Sequence, residues 1–481
     1  MSAWVGVALF PLIAGVMLAT GLPAFLVLIG AAGLGASFIV VSGGDAALLQ
    51  ALGARLQALL EGDLLQALPL FVMMGATMNR LPLVESLYRT GAALGRNSVA
   101  AQRLSALAIG ALVAPMNGSV GASVSMLSRG VAPLLARSGV PPAERVALVA
   151  VASTLGVAIP PSLVLLFLGD AMLNAHSIAA RATHASVRII STQDVFRAAL
   201  VPAAVTLALW ALVALVSASG AKAREEERPL AWREAAVAAL CATSVLVLLG
   251  GVASGLFYAV EAAATGCVAL LAAGGVARAL SLEALKEILR DTLAISGALF
   301  ALLVAATTFT LVPRVLGTDR LATDLLESAP GGPAGAVLTL LAILAASALV
   351  LDAFEIVFVV VPIVMPGALT RAPDAAWVAA LAVLTLQASF LTPPLGYAIM
   401  MSRATKDVAA TTAAIARAVA PFLAALAAVV AATFVWPELT HQLDKPAPIV
   451  APAPERIEIP LPEAPSDQLD MAPFPLHTGG R

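Results

Sequence analysis

Ser389-Phe390-Leu391-Thr392-Pro393-Pro394-Leu395-Gly396 cuts an apolar run with two consecutive prolines, and Gly156-Val157-Ala158-Ile159-Pro160-Pro161-Ser162 does the same in the first half of the chain. Proline in a helix interior removes a hydrogen bond and clashes with the preceding turn, so each pair predicts a real break. Two more interruptions carry polar residues: Ala114-Pro115-Met116-Asn117-Gly118-Ser119-Val120-Gly121 and Leu351-Asp352-Ala353-Phe354-Glu355. In lipid, free backbone N–H and C=O groups find no water. Broken helices therefore survive only where protein or a wet cavity satisfies them.

The composition places these breaks in a membrane. Of 481 residues, 60% are hydrophobic and 12% charged, against about a quarter charged in an ordinary soluble protein. Mean hydropathy is +0.97. This excludes a cytosolic enzyme, a nucleic-acid binder and a secreted disulfide scaffold, and predicts an all-α polytopic membrane protein. Net charge is −2, so no global field attracts polyanions. Cys241 and Cys267 both lie in apolar stretches, and the four histidines have no ligand spacing. The N-terminal run lacks a basic leader, and Leu22 to Val41 follows it almost at once. Two membrane helices are expected there rather than a cleaved signal.

The order of features repeats. The run at Leu68-Pro69-Leu70-Phe71 precedes the Asn-Gly-Ser and Ile-Pro-Pro-Ser breaks. A run at Gly297-Ala298-Leu299-Phe300 precedes the Asp352 break and Thr-Pro-Pro. An internal repeat of broken helices points to a central binding site, although periodicity alone does not show that the repeat is inverted. Residues 80–103 carry Arg80, Arg89, Arg96 and Arg103 against Glu85, which predicts a cytoplasmic loop. The charged segment 220–234 divides the halves. Residues 440–481 are proline-rich without apolar period and are expected to be a disordered tail.

Several side chains at the breaks can bind ions or substrate. Hydroxyl and amide oxygens of Asn117, Ser119, Ser123, Ser162 and Thr392, with exposed carbonyls, are hard ligands that suit Na⁺. Half-helix N-termini suit a substrate carboxylate. Alternatively, each hydroxyl simply bonds nearby backbone. Asp352 either faces a cavity or partner, as intramembrane acids usually do, or sits with Glu355 at an interfacial helix end. Glu261 is either functional or a hydrogen-bonded packing residue. An intramembrane hydrolase would need a base beside Ser119, and no histidine lies in a long apolar run. No His-Glu-x-x-His motif occurs. A passive channel lacks support because no repeated carbonyl filter is recognisable.

At these residues the chain resembles the large membrane subunit of tripartite ATP-independent periplasmic (TRAP) transporters over roughly 4–436. Leu68-Pro69-Leu70-Phe71 with Gly75 resembles the family's first hairpin. Gly118-Ser119 with Ala122 resembles its Gly-Ser-Ser-x-Ala element, with Val120 for the second serine. Ile159-Pro160-Pro161-Ser162 matches without a gap. Glu261-Ala262-Ala263 resembles the end of Thr-Pro-Thr-Glu-Ala-Ala, Asp352 with Pro362 and Pro366 the aspartate and following prolines, and Thr392-Pro393-Pro394-Leu395-Gly396 the Thr-Pro-Pro-Val-Gly element. Segment 174–197 looks like a subgroup labelled for mannitol or chloroaromatic compounds.

The resemblance implies a secondary transporter of the bacterial inner membrane that imports organic acids on a Na⁺ gradient by an elevator motion. Inverted repeats would each hold a re-entrant hairpin and a broken helix. The implied organisation is scaffold helices at 1–45, a first repeat at 46–219, a polar linker at 220–234, scaffold helices at 235–280, a second repeat at 281–439 and the tail from 440. Na⁺ would be held at Asn117, Gly118, Ser119 and Thr392, with Asp352 either binding a cation or orienting the second break. Ser123, Pro160, Pro161, Ser162, Pro393, Pro394 and Gly396 would shape the substrate region. No cofactor is implied beyond the coupling ion. The implied partners are a periplasmic solute-binding protein, a small membrane subunit encoded as a separate chain, and lipid; nucleic acid is not one. A free-standing Na⁺ or H⁺ symporter of organic anions has the same fold physics and is separated only by the resemblance.

Overall fold

The computed structural model describes residues 2–43, 46–117, 119–160, 162–184, 188–217, 230–404 and 410–444. Gly118, Pro161, most of the 220–234 linker and the tail beyond Asp444 lie outside the described residues. Every regular element among them is helical. The first half comprises α1 (Ser2–Thr20), α2 (Ala24–Val41), α3 (Leu52–Leu60), α4 (Asp63–Arg80), α5 (Leu83–Leu94) and α6 (Val99–Val113). It continues with α7 (Val120–Gly130), α8 (Ala132–Arg137), α9 (Pro142–Ala158), α10 (Leu163–Thr183) and α11 (Thr192–Ser217). The second half comprises α12 (Trp232–Ser254), α13 (Ala259–Val276), α14 (Leu282–Val315), α15 (Thr318–Glu327) and α16 (Gly332–Ser347). Then come α17 (Ala353–Glu355), α18 (Val361–Arg371), α19 (Ala375–Phe390), α20 (Tyr397–Ala404) and α21 (Thr412–Val435). A π-helical turn, Ile356–Val360, joins α17 to α18.

Ten helical stretches among the described residues are long and apolar enough to cross a membrane. Burial sorts them. The α9–α10 stretch is wrapped almost completely by protein, whereas α1, α12, α13 and α21 leave most of their length uncovered. Leu18, Leu34, Leu240, Val268 and Leu293 are exposed apolar side chains on such helices. In a bilayer those faces meet lipid and cost nothing, while the enclosed helices can hold the breaks.

Packing is paired across the two halves. α4 lies against α13 and α14 against α2; α7 lies against α20 and α10 against α18. Each half thus uses equivalent elements to clasp the other. The direction of α4 and α14 shows the relation between halves. Arg80 at the end of α4 binds Glu287 and Asp291 near the start of α14, and Arg55, just before α4, shares a cavity with Arg314 at the end of α14. The two helices are antiparallel, so the repeat is inverted.

The chain folds back at Ala114–Ser119. A Cβ on Gly110 would stand 2.4 Å from the Ala152 carbonyl oxygen, and one on Gly156 would stand 2.6 Å from that of Ala114. α6 and α9 therefore run side by side in one direction, with glycines admitting the close approach. α7 packs on α9, beside which α6 has just risen, and so returns as the second arm of a re-entrant hairpin. Leu68-Pro69-Leu70-Phe71 lies within α4, one arm of a pair bent by 51°. The hairpin matched to those residues by resemblance is thus a bent helix, and the fold-back falls at the Asn-Gly-Ser break. α6 can climb and return because Ser119 and Ser123 bond backbone groups of the tip.

Candidate functional site

Three of the four breaks begin a helix with a side-chain cap. Ser119, in extended conformation, accepts from the Ala122 amide at 3.1 Å. Ser162 accepts from the Leu165 amide at 3.1 Å and donates to the Val157 carbonyl at 3.2 Å, so one hydroxyl spans the interruption. Asp352 Oδ1 accepts from the Ala353 amide at 2.7 Å while Glu355 Oε2 accepts from the Asp352 amide at 3.0 Å. Each cap stabilises its helix start by about 1 kcal/mol, and the carboxylates also oppose the positive end of the helix dipole. Asp352 thereby fixes the start of α17. Pro362 and Pro366 remove two N–H donors from the helix that follows, beside its π turn. Such turns recur at functional sites.

The fourth break closes on itself. Thr392 Oγ1 donates to the Ala388 carbonyl at 2.8 Å, and the Thr392 carbonyl accepts from the Gly396 amide at 2.8 Å. Pro393-Pro394, joined by a cis peptide, lies between. A Cβ on Gly396 would meet the Phe390 carbonyl oxygen at 2.7 Å. Individual hydroxyls at the breaks thus bond local backbone, as the simpler reading expected. Glu261 accepts from the Tyr258 amide at 3.0 Å and caps α13.

Asn117 is different. It is 4% exposed. Its Nδ2 donates to Ser123 Oγ at 3.4 Å, and that hydroxyl faces the Ala114 and Ser119 carbonyls at 3.3 and 3.0 Å. Asn117 Oδ1 is buried without a hydrogen-bond partner among the described residues. A buried acceptor left unmade costs about 1–3 kcal/mol, so the tip holds an oxygen that a cation or donor would satisfy. Gly75 of α4 presses on this tip: a Cβ there would lie 2.8 Å from the Met116 carbonyl oxygen and 3.0 Å from Asn117 Oδ1.

The hairpins meet the opposite broken helices. A Cβ on Gly121, at the start of α7, would lie 2.9 Å from the Tyr397 hydroxyl, which opens α20 directly after the Thr-Pro-Pro break. Asp352 and Glu355 are within electrostatic reach of that phenol. On the other side, Phe167 of α10 contacts Phe358 with ring centroids 4.9 Å apart and Phe354 at 6.1 Å. α7, which Ser119 caps, therefore crosses the segment that follows the Thr-Pro-Pro break, and α10, which Ser162 caps, crosses the segment that follows Asp352. Tyr397 was not singled out by sequence. Its signal is a lone phenol in an apolar run just past two prolines. Gln387 was also missed: it is fully buried on α19, and neither amide atom has a partner among the described residues.

A cavity of about 1030 Å³ lies between α3, α4 and α14 on one wall and α10 on the other, and Phe167, Phe358 and Pro362 also line it. A second, of about 300 Å³, separates α1, α2 and α16 and receives Glu355. A crossing of half-helices beside a large cavity of mixed lining suits solute passage more than bond making. Residues 12–439 match the model of the family described as the tripartite ATP-independent periplasmic transporter DctM component.

The chain belongs to the DctM family. It is a TRAP transporter permease subunit and not an enzyme. The sialic acid TRAP transporter large permease protein SiaM of Vibrio cholerae is 26% identical over 196 residues, 40% of this chain and 45% of that protein. The match therefore spans under half of that relative's length. The uncharacterized protein YgiK of Salmonella typhimurium is 23% identical over 372 residues, 75% of this chain and 80% of its own. The crystal structure of the Alcanivorax borkumensis YdaH transporter superposes with a TM-score of 0.59 at 13% identity, covering 83% of this chain and 90% of the other. That likeness is one of fold.

Proposed function

We propose that this DctM-family subunit imports an organic carboxylate across the bacterial inner membrane, coupled to Na⁺. The observation that carries the reading is Asn117 Oδ1, a buried oxygen without a donor at the tip of a re-entrant hairpin. Na⁺ bound there, with Gly118, Ser119 and Thr392 contributing carbonyl or hydroxyl oxygens, would supply the missing partner. A cation at the tip would also offset the charge of an incoming carboxylate. Asp352 acts by orienting the second hairpin, and Tyr397 links the two crossings. Ser123, Ser162, Gly396 and the prolines keep the half-helix ends in place.

The orientation follows from charge. Arg89, Arg103, Lys286 and Arg290 lie in the elements around the Arg80 end of α4, which supports a cytoplasmic placement of that end by the positive-inside rule. The 1030 Å³ cavity opens from the other end of α4 and so receives solute from the periplasm. A periplasmic solute-binding protein would deliver the substrate there. A small membrane subunit, supplied as a separate chain, would cover part of the lipid-facing helices. Sliding of the hairpins and broken helices against the outer helices, as an elevator, would carry the site across.

The test is uptake into proteoliposomes. A labelled organic acid bound by the cognate binding protein should enter only with the small subunit, the binding protein and inward Na⁺ all present. Asn117→Ala should raise the Na⁺ concentration for half-maximal uptake about tenfold, equivalent to ~1.4 kcal/mol. Uptake in Na⁺-free buffer driven equally by a proton gradient would overturn the coupling, and full-rate uptake by this chain alone would overturn the tripartite assembly.

A further inference from the structure

The large cavity has an unbalanced wall. Arg55 of α3 and Arg314 at the end of α14 both line it. They come from opposite halves of the inverted repeat and share one cavity, where like charges repel. Neither guanidinium makes an ion pair among the described residues, and Arg55 Nη1 is buried without a hydrogen-bond partner. Other arginines of this protein are treated differently. Arg80, Arg89, Arg103, Arg188 and Arg197 each face a carboxylate. Two like charges held together in a part-buried space are unfavourable unless something anionic joins them.

Among the described residues lining this cavity Asp170 of α10 is the only acid, and Asn174 donates to its backbone carbonyl at 3.0 Å. Among the described lining residues the charged groups are thus Arg55, Arg314 and Asp170, two cations against one acid. Thr307 and Thr310 of α14 lie along the same wall as Arg314. Both guanidiniums offer planar forks of N–H donors that match a carboxylate.

We infer that Arg55 and Arg314 form an anion trap on the outer-helix wall of the cavity, which takes the carboxylate of an organic acid before it reaches the hairpin crossing. This rests on the transport reading for its purpose, but its physical claim concerns the cavity alone. The two arginines draw anions in and exclude cations, because a low-dielectric cleft lined by one sign of charge focuses the field. The trap lies on the wall formed by α3 and α14, apart from Asn117, Ser119 and Thr392, none of which lines this cavity.

A reporter thiol at Thr310 tests it without knowing the substrate. In a Cys241→Ala/Cys267→Ala background, Thr310→Cys would be treated in nanodiscs with two methanethiosulfonates, one bearing a sulfonate and one a trimethylammonium group. The sulfonate reagent should react faster. Arg55→Gln with Arg314→Gln should lower the ratio of anionic to cationic rates by about tenfold or more, as expected when two nearby unit charges are removed. Arg55→Lys with Arg314→Lys should keep most of the ratio, and Arg80→Gln should leave it unchanged. A correctly assembled glutamine variant is identified by an unaltered size-exclusion profile; if that variant does not assemble, each single Arg→Gln change should still lower the ratio by several fold. An unchanged ratio, or a parent that prefers the cationic reagent, overturns the trap. Failure of both reagents to react overturns it as well, because the cavity would then be closed to solutes of this size. None of these outcomes bears on Na⁺ dependence, which is judged by uptake.

Discussion

Adding one methyl group at Gly75 probes the hairpin tip. In Gly75→Ala the new Cβ would stand 2.8 Å from the Met116 carbonyl oxygen, 3.0 Å from Asn117 Oδ1 and 3.2 Å from Asn117 Cα. A comfortable carbon-to-oxygen contact needs about 0.4 Å more, and two of the three atoms are backbone, so a rotamer change cannot relieve them. The tip must shift, and overpacking of this kind costs about 1–3 kcal/mol. If Asn117 Oδ1 and its neighbouring carbonyls hold Na⁺, that cost falls on the bound geometry. The Na⁺ concentration for half-maximal uptake should rise by about fivefold to a hundredfold. The assay is Na⁺-titrated uptake in proteoliposomes with the small subunit and binding protein, beside thermal unfolding followed by size exclusion. Gly297→Ala is the matched control, because a Cβ there meets nothing within 4 Å; it should leave Na⁺ dependence and unfolding unchanged. Normal Na⁺ dependence in Gly75→Ala, at normal stability, would refute the assignment of this tip to the ion.

Arg103, 5% exposed, binds Glu144 and donates to the Ala214 carbonyl at 3.3 Å, joining α6, α9 and α11; Arg103→Ala leaves a partly buried carboxylate unpaired and should cost about 3–5 kcal/mol, read as a lower unfolding temperature, with a smaller loss in Arg103→Met/Glu144→Met. His441 bonds Asp374 and Asp444 at 2.8 Å each; partial burial pulls its pKa down, but the two carboxylates outweigh it, so the pKa is raised above the ordinary 6.5. The wild type should therefore be stabilised relative to His441→Gln below about pH 6.5, and should lose that margin as pH rises through the raised value; a margin that grows with pH in paired unfolding curves would contradict this. Asp352→Asn keeps one acceptor for the Ala353 amide but removes charge beside Tyr397, so assembly should survive while uptake falls; unchanged uptake would confine Asp352 to capping. Truncation after Lys445 should leave expression and uptake near normal, since 446–481 has no patterned apolar face; lost uptake at equal expression would show that the tail docks.

The sequence by itself determined that this is a helical membrane protein with interrupted spans, because apolar run length and paired prolines act locally and need no partner to be read. It also located the interruptions to within a few residues: Asn117, Ser119, Ser162, Asp352 and Thr392 all stand at helix breaks. Ser119, Ser162 and Asp352 are helix caps, an outcome that Ser and Asp before an apolar run announce on physical grounds. What the linear pattern does not contain is direction and distance. A run such as Leu68-Pro69-Leu70-Phe71 has the same composition whether it bends or folds back, and only the packing of α6 and α7 on α9 shows that the return lies at Asn117. Inversion of the repeat is likewise decided by Arg80 meeting Glu287 and Asp291, more than two hundred residues away. Tyr397, Gln387, Arg55 and Arg314 draw their interest from what surrounds them: a phenol against Gly121 and, among the described residues, an amide without hydrogen-bond partners and two guanidiniums without ion pairs. Each of those properties belongs to neighbours distant in sequence, and tertiary packing alone supplies or withholds them.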